Sequence, residues 1–299
     1  MTRLLIDTDP GIDDALALLY AWSSPQAVVE ILTTVAGNVP VDRGTTNVFR
    51  LIALRRPTRI PLVAVGAHQP LARPLETAER HHGGDGLGDL DDWPPVDSRA
   101  CSEAAPEVIV AAARRLGPQL TLVALGPLTN LALAVAADGA ALARVSRVVA
   151  MGGAVDVPGN VTADAEFNMH VDPEAAARVF AAGLPLDLVP LDATRHARLA
   201  RHELEEALGD RPALLATRIL AFTRRAFRLD GGAMHLHDPL AVAVAIDPTL
   251  VEWELTRLDV RPDGATRRVP GTPNCRVARH VDLARFVPVF LERLCPEFS

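Results

Sequence analysis

The sequence predicts an α/β fold, a single-domain, open and mostly parallel sheet with helices on both faces, of the Rossmann-like kind. Apolar strand-like runs alternate with helical patterns, which is typical of βαβ units whose sheet is buried on both faces. No linker rich in Pro, Gly or Ser and no internal repeat divides the 299 residues, so we expect one domain over residues 1–299. Polar segments follow the strands, and in open α/β sheets ligands bind beyond the carboxyl ends of the strands. We therefore expect the active site at that edge.

The elements follow in chain order. Each predicted strand is an apolar run that ends at polar or turn residues. The strands are residues 3–6, 28–34, 61–65, 119–124, 147–151 and 185–189. The helices between them are residues 13–21, 43–54, 105–116, 128–136 and 173–182. Helices at 202–208 and 212–227, strands at 251–260 and 266–269, and a closing helix at 281–294 complete the prediction.

Composition excludes several classes of protein. A net charge of -7 without a basic stripe argues against nucleic-acid polymers and membrane surfaces as partners. No apolar stretch is long enough to span a bilayer, and the start of the chain, with a single Arg3, does not resemble a signal peptide. Cys101, Cys275 and Cys295 are odd in number and lack metal-binding spacing. These features predict a protein of the reducing cytoplasm.

The basic residues are all arginine, because the sequence contains no lysine. This excludes Schiff-base chemistry, a P-loop lysine and a lysine-assisted phosphatase. Biased base composition of the gene is the simplest reason for the absence of lysine.

Residues 7–14 read D-T-D-P-G-I-D-D and place Asp7, Asp9, Asp13 and Asp14 directly after the first strand. Crowded carboxylates repel one another unless a cation or shared protons offset the repulsion. Asp13 or Asp14 taken alone could be an N-terminal helix cap, which the helix dipole favours. The whole octet indicates an oxygen-ligated divalent metal, and hard oxygen ligands select calcium or magnesium over zinc or copper.

A second group is formed by His237 and Asp238, with His235 two residues earlier. An acid beside an imidazole could be a surface accident. The functional interpretation is a leaving-group acid next to a metal-binding carboxylate. On an extended backbone His235 would point the other way, so we interpret His235 as structural.

A third group contains Asn160, Glu166 and Asn168, which offer amides and a carboxylate to a polyhydroxylated ligand. Surface loops commonly contain the same residue types. The run at 126–130 is interpreted as a helix start, so any function there would come from the backbone carbonyl of Leu125.

The Gly- and Asp-rich segment at 67–98 is predicted to be a lid, a binding loop or a disordered loop. Its glycines do not match a phosphate-binding pattern, so we interpret it as a mobile loop that carries His82. Asp89, Asp91 and Asp92 are interpreted as a solvated face. Phe222 and Phe227, at helical spacing before His237, are typical of a core, although one of them could flank an aromatic base.

Taken together, these segments resemble the nucleoside hydrolase family of the inosine-uridine preferring type, over essentially the whole chain. Beside the opening octet, the resemblance is carried by T-T-V-A-G-N (33–38), H-G-G-D-G-L-G (82–88), A-L-G-P-L-T-N (124–130), M-G-G-A (151–154), E-F-N (166–168) and H-D-P-L-A (237–241). The octet is highly specific, and the later motifs are moderately specific and occur in the family's order. The resemblance implies calcium-dependent hydrolysis of the N-glycosidic bond of ribonucleosides, which gives ribose and a free base in purine or pyrimidine salvage.

The resemblance also implies roles for individual residues. A calcium ion would bind Asp9, Asp14, the backbone carbonyl of Leu125 and Asp238, together with the ribose 2′- and 3′-hydroxyls and one water. Asp9 would be the general base for that water, and His237 the proton donor to the departing base. The implied substrate-binding residues are Asp13, Asn38, His82, Met151, Asn160, Glu166, Asn168 and Phe227. The family further implies a small-molecule ribonucleoside substrate and a homodimer or homotetramer.

The helix before the H-D motif departs from the family. Relatives often carry tyrosines there, whereas this chain has Phe222, Arg225 and Phe227, and its only tyrosine is Tyr20. Phenylalanine can stack on a base but cannot donate a hydrogen bond. Purine, pyrimidine and broad base preferences therefore stay open, with His82 favouring the pyrimidine type.

Two alternatives compete with this interpretation. A haloacid-dehalogenase-type magnesium phosphatase would use Asp7 as its nucleophile, but that class requires a later lysine and leaves Asp13 and Asp14 unexplained. The other alternative is a non-catalytic protein that binds a nucleoside or sugar in the same metal cleft.

Overall fold

A computed structural model describes residues 1–97, 99–209 and 214–294. The strands of these residues are β1 (Thr2–Thr8), β2 (Ala27–Thr34), β3 (Leu62–Val65), β4 (Leu120–Ala124), β5 (Arg147–Met151), β6 (Leu186–Val189), β7 (Arg198–Ala200), β8 (Ala233–His235), β9 (Val251–Thr256), β10 (Leu258–Val260), β11 (Thr266–Arg268) and β12 (Cys275–Val281). Their α-helices are α1 (Ile12–Trp22), α2 (Val41–Arg55), α3 (Glu79–His82), α4 (Ala105–Leu116), α5 (Thr129–Leu142), α6 (Phe167–Val171), α7 (Pro173–Ala181), α8 (Leu191–Thr194), α9 (Arg201–Leu208), α10 (Leu214–Leu229), α11 (His237–Ile246) and α12 (Leu283–Leu294).

An eight-stranded sheet lies at the centre, in the order β3-β2-β1-β4-β5-β6-β12-β9. Its neighbouring strands are parallel except for β12 and β9. The strand order reverses between β1 and β4, which is the switch point where open α/β sheets bind their ligands. This topology confirms the predicted fold class and places residues 7–14 beside Leu125, which follows β4.

Both faces of the sheet are covered. In β1, Leu4 and Ile6 pack into one hydrophobic cluster with α1, α10, α11 and α12, whereas Leu5 packs into a second cluster with α4, α5 and α7. Because successive side chains of a strand point to opposite faces, a strand buried on both faces must be apolar at every position. Burial on both faces therefore explains the continuous apolar runs in the sequence.

A small antiparallel pair connects the late part of the chain to the site. β7 pairs with β8 so that Arg198 lies opposite His235. The pairing brings the start of α11 close to the end of α8, although the two lie more than forty residues apart in the sequence. It therefore decides which residues surround His237.

The predicted strands and helices up to residue 189 are present, with ends displaced by a few residues. The predicted helix 128–136 extends to Leu142, with a break at Asp138 (φ -159°, ψ 73°). The sequence interpretation did not include β7, β8, β12 or α11. Edge and hairpin strands as short as β7 and β8 carry too few alternating residues for a pattern to be recognised.

Two later predictions were wrong in detail. The predicted strand 251–260 is two strands, because β9 pairs with β12 whereas β10 pairs with β11 in a separate sheet. Val281 ends β12 instead of starting the last helix, which begins where the Asp282 carbonyl accepts the Phe286 N–H at 2.9 Å. Ser98, Pro212 and Cys295, which the sequence interpretation included, lie outside the described residues. No helix in the described part of the chain is long and apolar enough to cross a membrane.

Candidate active site

The carboxyl ends of the central strands surround a cavity of about 340 Å³. Residues that follow β1, β2, β4, β5 and β6 contribute to its wall, as expected for a site at this edge. The predicted site residues that line it are Asp13, Asn38, His82, Leu125, Met151, Asn160, Glu166, Asn168, His237 and Asp238. Asp9 and Asp14, also predicted, are buried beneath this wall. The sheet thus gathers residues that are far apart in the sequence.

Asp13, Asp14 and Asp238 each offer a carboxylate oxygen, and these oxygens lie within 4.8 Å of one another. Asp13 and Asp14 belong to the first turn of α1, and Asp238 belongs to the first turn of α11. Two helix N-termini therefore meet at the cluster, where unpaired N–H groups and the helix dipoles favour negative charge.

Asp14 has a second, structural function. It accepts hydrogen bonds from Thr8 Oγ1 at 2.5 Å, from the Gly11 N–H at 2.9 Å and from Asn38 Nδ2 at 3.0 Å. The bond from Gly11 satisfies the N-cap backbone of α1, so the helix-cap interpretation holds for Asp14. All three donors are neutral, so none of them offsets the charge of the cluster.

Asp9 is held in a narrow slot. Its Oδ2 accepts the Asn38 N–H at 2.7 Å, while its buried Oδ1 has no hydrogen-bond partner among the described residues. A Cβ atom on Gly37 would lie 2.1 Å from Asp9 Oδ2, and one on Gly126 would lie 2.5 Å from Oδ1. The glycines of two sequence motifs therefore leave the space that this carboxylate occupies.

The buried aspartates repel one another, which makes their charged forms unfavourable. Burial, and then repulsion between neighbouring aspartates, raises the pKa of Asp13 to about 7 and holds the pKa values of Asp9 and Asp238 well above their usual range. The donors are all oxygens, and Asp9 Oδ1 lacks a partner in the described part of the chain. This donor set fits a hard dication such as calcium or magnesium. The tightest group contains Asp13, whereas the resemblance named Asp9 beside Asp14 and Asp238.

His237 lies at the start of α11, with its Nδ1 2.7 Å from Thr194 Oγ1. Its ring stacks on His235, with centroids 5.2 Å apart and planes at 14°. The expectation that His235 points the other way was wrong, because Leu236 (φ -104°, ψ 62°) is not extended. Burial, together with His235 and the charge of Arg195, lowers the pKa of His237 to about 3, so this imidazole is neutral at pH 7.

His82, at the end of α3, contacts α1 directly. Its Nδ1 accepts the Ile12 N–H at 3.0 Å, which leaves Nε2 as the protonated nitrogen of the neutral ring. Burial lowers the pKa of His82 to about 4, which keeps this ring neutral at pH 7. His82 Nδ1 therefore accepts one of the backbone N–H groups that have no partner within α1 at its start. The Nε2–H of the same ring is a hydrogen-bond donor at the cavity.

Glu166 is the N-cap of α6. Its carboxylate accepts hydrogen bonds from the backbone N–H groups of Gly153 at 2.8 Å, Asn168 at 3.0 Å and Met169 at 3.2 Å. Burial raises the pKa of Glu166. These bonds fix the loop after β5 against α6 and hold the carboxylate at the cavity wall.

The two predicted amides are also anchored. Asn168 Nδ2 donates to the backbone carbonyls of Leu125 at 2.6 Å and Met151 at 3.2 Å. Asn160 Oδ1 accepts the Phe167 N–H at 3.0 Å. The Leu125 carbonyl, predicted as a metal ligand, therefore has one protein partner already and one lone pair left.

Phe227 does not lie at the cavity. Its side chain is 4% exposed and packs into the core, as does Phe222 at 0%, whereas Ala226 lines the cavity. Successive residues of a helix point about 100° apart, so Ala226 and Phe227 face different directions. The core interpretation holds for both phenylalanines, and the assignment of Phe227 to the substrate-binding set does not fit this placement.

The loop that carries His82 is tied to α10. Arg225 donates from Nε and Nη2 to the Arg80 carbonyl (3.2 and 2.8 Å) and from Nη1 to Asp89 at 2.9 Å. Arg218 pairs with Asp92 and lies over the ring of Trp93. Asp89, Asp91 and Asp92 are exposed, as the predicted solvated face requires, and Asp89 and Asp92 also form ion pairs there. Arg225 therefore holds this loop against α10.

We expect Arg225→Gln to loosen the segment around Arg80 without unfolding the protein. The Arg225–Asp89 pair is partly exposed, so its loss should cost only ~0.2–1 kcal/mol of stability. Limited trypsin digestion should nonetheless cleave after Arg80 several-fold faster. Arg224→Gln, which removes a neighbouring exposed arginine and the same number of tryptic sites, is the matched control. Equal cleavage rates in the two variants would show that Arg225 does not hold this loop.

Thr194 and Arg195 were not singled out from the sequence. Thr194 contacts His237, and Arg195 lines the cavity beside it. Both come soon after β6, so their position beyond the carboxyl end of that strand was the available signal. Their contacts depend on the β7–β8 pairing, which the sequence pattern did not reveal.

Comparison with known proteins places the chain among enzymes of nucleoside cleavage. Residues 4–288 match a family model described as inosine-uridine preferring nucleoside hydrolase. The pyrimidine-specific ribonucleoside hydrolase RihA of Enterobacter sp. (strain 638) is 35% identical over 312 residues, covering 99% of this chain and 98% of that protein.

Solved structures agree over the whole fold. A plant nucleoside hydrolase, PpNRh1, matches with a TM-score of 0.91 and 32% identity, covering 99% of both chains. A purine-preferring ribonucleoside hydrolase from Gardnerella vaginalis matches with a TM-score of 0.91 and 30% identity, covering 98% of both chains. Proteins named for opposite base preferences thus resemble this chain to a similar degree.

Proposed function

Because the chain belongs to the inosine-uridine preferring nucleoside hydrolase family, and is therefore a hydrolase that acts on N-glycosyl bonds, we propose that it cleaves ribonucleosides to ribose and a free base with a calcium ion as cofactor. One observation carries the proposal. The acidic cluster of Asp13, Asp14 and Asp238 shares a single cavity with the amides of Asn160 and Asn168. A metal site next to polar groups suits a polyhydroxylated ring.

The residues that would hold the ion are Asp9, Asp14, Asp238 and the Leu125 carbonyl, with Asp13 beside them. The unpartnered oxygen of Asp9 and the raised pKa values of Asp9 and Asp238 support this set. When bound, such an ion supplies Lewis acidity that lowers the pKa of a water molecule and orients vicinal hydroxyls.

The sugar would be bound by Asp13, Asn160, Glu166 and Asn168, with Asn38 and Met151 beside them. Asn168 and Glu166 are fixed by backbone contacts at 2.6–3.2 Å, so they need little reorganisation when a ligand enters. Cleavage of a glycosidic bond passes through an oxocarbenium-like sugar, and carboxylates around the ring stabilise that positive charge.

Asp9 is the proposed general base. Its Oδ2 is committed to the Asn38 N–H, whereas Oδ1 has no partner among the described residues and can take a proton from the attacking water. The slot between Gly37 and Gly126 prevents the carboxylate from rotating away from this position.

His237 and His82 would serve the departing base. Both rings are neutral at pH 7, so each contributes one N–H. In His82 this N–H is at Nε2, since Nδ1 accepts from Ile12. If the Thr194 hydroxyl donates to His237 Nδ1, the His237 proton also lies on Nε2, and this nitrogen is the one available to the base.

We expect His237→Ala to lower kcat/KM for uridine by about 10²–10⁴-fold, because general acid assistance typically supplies this factor. The leaving group of a p-nitrophenyl riboside departs without protonation, so kcat/KM for this substrate should fall far less. Initial rates on both substrates measure the difference. His196→Ala removes an exposed histidine outside the cavity and is the control. If the His237 variant loses the same factor on both substrates, the proton donor is another residue.

The proposed function is tested with a panel of purine and pyrimidine ribonucleosides, 2′-deoxyuridine and p-nitrophenyl phosphate, each with calcium and with a chelator. We expect base release from ribonucleosides that depends on calcium and is poor for the deoxynucleoside. Cleavage of the phosphoester alone would support the phosphatase alternative. A ligand-induced rise in melting temperature without base release would support a binding protein.

We also propose that residues 1–299 form one domain that assembles as a homodimer or homotetramer. The central sheet takes strands from β1 to β12, nearly the full described length, which supports a single domain. The proposed assembly rests on the family resemblance. Light scattering of the purified protein measures its molar mass and so its oligomeric state.

A further inference from the structure

Arg195 has an unusual position in the cavity. It follows the last residue of α8, and its backbone N–H is bonded to the Leu191 carbonyl at 3.1 Å, so its backbone is fixed. Its side chain lines the cavity, where it is the only arginine among the described residues of the wall. Its charge lowers, in part, the pKa values of both His235 and His237, which also line the cavity.

The guanidinium of Arg195 is poorly neutralised. In the described part of the chain its side-chain contact is one hydrogen bond, from Nη2 to the Gly159 carbonyl at 2.8 Å, and no carboxylate forms an ion pair with it. By contrast, Arg225 and Arg218 on α10 are paired with Asp89 and Asp92. A partly buried cation without an anionic partner is unfavourable unless a ligand provides one.

The charges of the cavity are arranged asymmetrically. Asp9, Asp13 and Asp14 follow β1, whereas Arg195 follows β6, three strands further along the sheet. A substrate whose sugar faces the aspartates would therefore present its other parts towards Arg195. Gly159, the Arg195 partner, immediately precedes Asn160, which the proposed function assigns to the sugar.

We propose that Arg195 forms an anion-binding position inside this cavity, so that the protein accepts ribonucleosides that carry an acidic substituent. The proposal rests on the proposed function and specifies its substrate class further. The anion could be a phosphate on the sugar 5′-oxygen or a carboxylate on the base. Both would use the same planar donors of the guanidinium, which match phosphate and carboxylate oxygens in pairs.

The expected size of the effect follows from the strength of charge-assisted hydrogen bonds. Such bonds contribute about 1.5–3 kcal/mol, which corresponds to about a 10- to 100-fold change in binding or kcat/KM. A role limited to holding the loop through Gly159 would instead affect neutral and anionic substrates equally. The two explanations therefore differ in a ratio that can be measured.

The experiment compares uridine, uridine 5′-phosphate and orotidine as substrates of the full-length protein in calcium. Arg195→Gln removes the charge but keeps an amide donor for the Gly159 carbonyl, and Arg195→Lys keeps the charge. Arg198→Gln is the matched control, because Arg198 also donates to one backbone carbonyl, that of Ala233 at 3.2 Å, but lies outside the cavity wall. Base release and melting temperature are recorded for each variant.

In Arg195→Gln, we expect kcat/KM for at least one anionic substrate to fall about 10- to 100-fold relative to kcat/KM for uridine. The fall should be smaller in Arg195→Lys and absent in Arg198→Gln. A loss confined to uridine 5′-phosphate identifies the sugar phosphate as the anion, and a loss confined to orotidine identifies the base carboxylate. Equal losses on all three substrates, or no binding of either anionic compound to the wild-type protein, would overturn the proposal.

A measurement of binding separates this proposal from the proposed function. Calorimetric dissociation constants for uridine and uridine 5′-phosphate require no turnover. If no ribonucleoside is hydrolysed, the proposed function fails, and the ratio of these constants in wild type and Arg195→Gln still decides the role of Arg195. A ratio that does not change, together with the equivalent result for orotidine, contradicts an anion position at Arg195.

Discussion

Asp9→Asn is expected to lower kcat/KM for ribonucleosides by ~10⁴-fold or more while leaving the fold intact. Losses of this size are typical when a central member of a catalytic group is removed. The physical reason is that the amide cannot take a proton from water, although it has nearly the shape of the carboxylate. Its carbonyl can still accept the Asn38 N–H at 2.7 Å, so the slot between Gly37 and Gly126 stays filled.

The control for this variant is Asp7→Asn. Asp7 is equally buried, and its Oδ1 accepts hydrogen bonds from Thr33 at 2.6 Å and Asn130 at 2.8 Å, groups that an asparagine carbonyl can also satisfy. We expect Asp7→Asn to change kcat/KM by less than ~10-fold. Steady-state rates and thermal melting of both variants separate a chemical loss from a folding defect. Comparable rates in Asp9→Asn and wild type would exclude Asp9 as the base.

Removal of the metal should abolish turnover and make stability fall as the pH rises. Burial and mutual repulsion raise the pKa of Asp13 to about 7, above its unfolded value of 3.8, with Asp9 and Asp238 shifted in the same direction. A raised pKa in the folded state means that the stabilising contribution is complete below the unfolded pKa and is lost as the pH passes through the folded pKa. The chelated protein should therefore melt at a lower temperature at pH 8 than at pH 5.

Calcium should reverse this trend, because a bound dication favours the charged carboxylates. At a free concentration 100 times its Kd, a ligand of the folded state adds ~2.7 kcal/mol of stability. The gain should be larger at pH 8 than at pH 5, where protons compete for the same oxygens. Thermal melts across pH, with calcium and with a chelator, measure both effects.

Asp238→Asn is the informative variant for this prediction. It removes one carboxylate of the cluster, so the chelated variant should lose less stability between pH 5 and pH 8 than the wild type. Its response to calcium should largely disappear. A wild-type protein whose melting temperature is indifferent to calcium at pH 8 would contradict a metal site formed by these aspartates.

The fold class could be predicted from the sequence because each parallel strand is buried on both faces and must be apolar throughout. Asp7, Asp9, Asp13 and Asp14 could be recognised for a similar reason, since they lie within eight residues and their repulsion requires an explanation. These features depend on neighbours in the chain and therefore leave a readable local pattern.

The contacts that complete the site leave no such pattern. Asp238 joins Asp13 and Asp14 only because α11 returns to the sheet beside α1, and His237 contacts Thr194 only because β7 pairs with β8. Phe227 and Ala226 are neighbours in the sequence, yet packing of α10 directs one into the core and the other to the cavity.

The sequence by itself therefore determined the type of sheet, the edge at which the cavity lies and the four aspartates of residues 7–14. The tertiary structure alone decided the orientation of His235, the hydrogen-bonded nitrogen of His82 and the lack of a described carboxylate paired with Arg195. Short-range periodicity and charge are properties of adjacent residues, whereas these three depend on which distant segments are brought into contact when the sheet and its helices pack together.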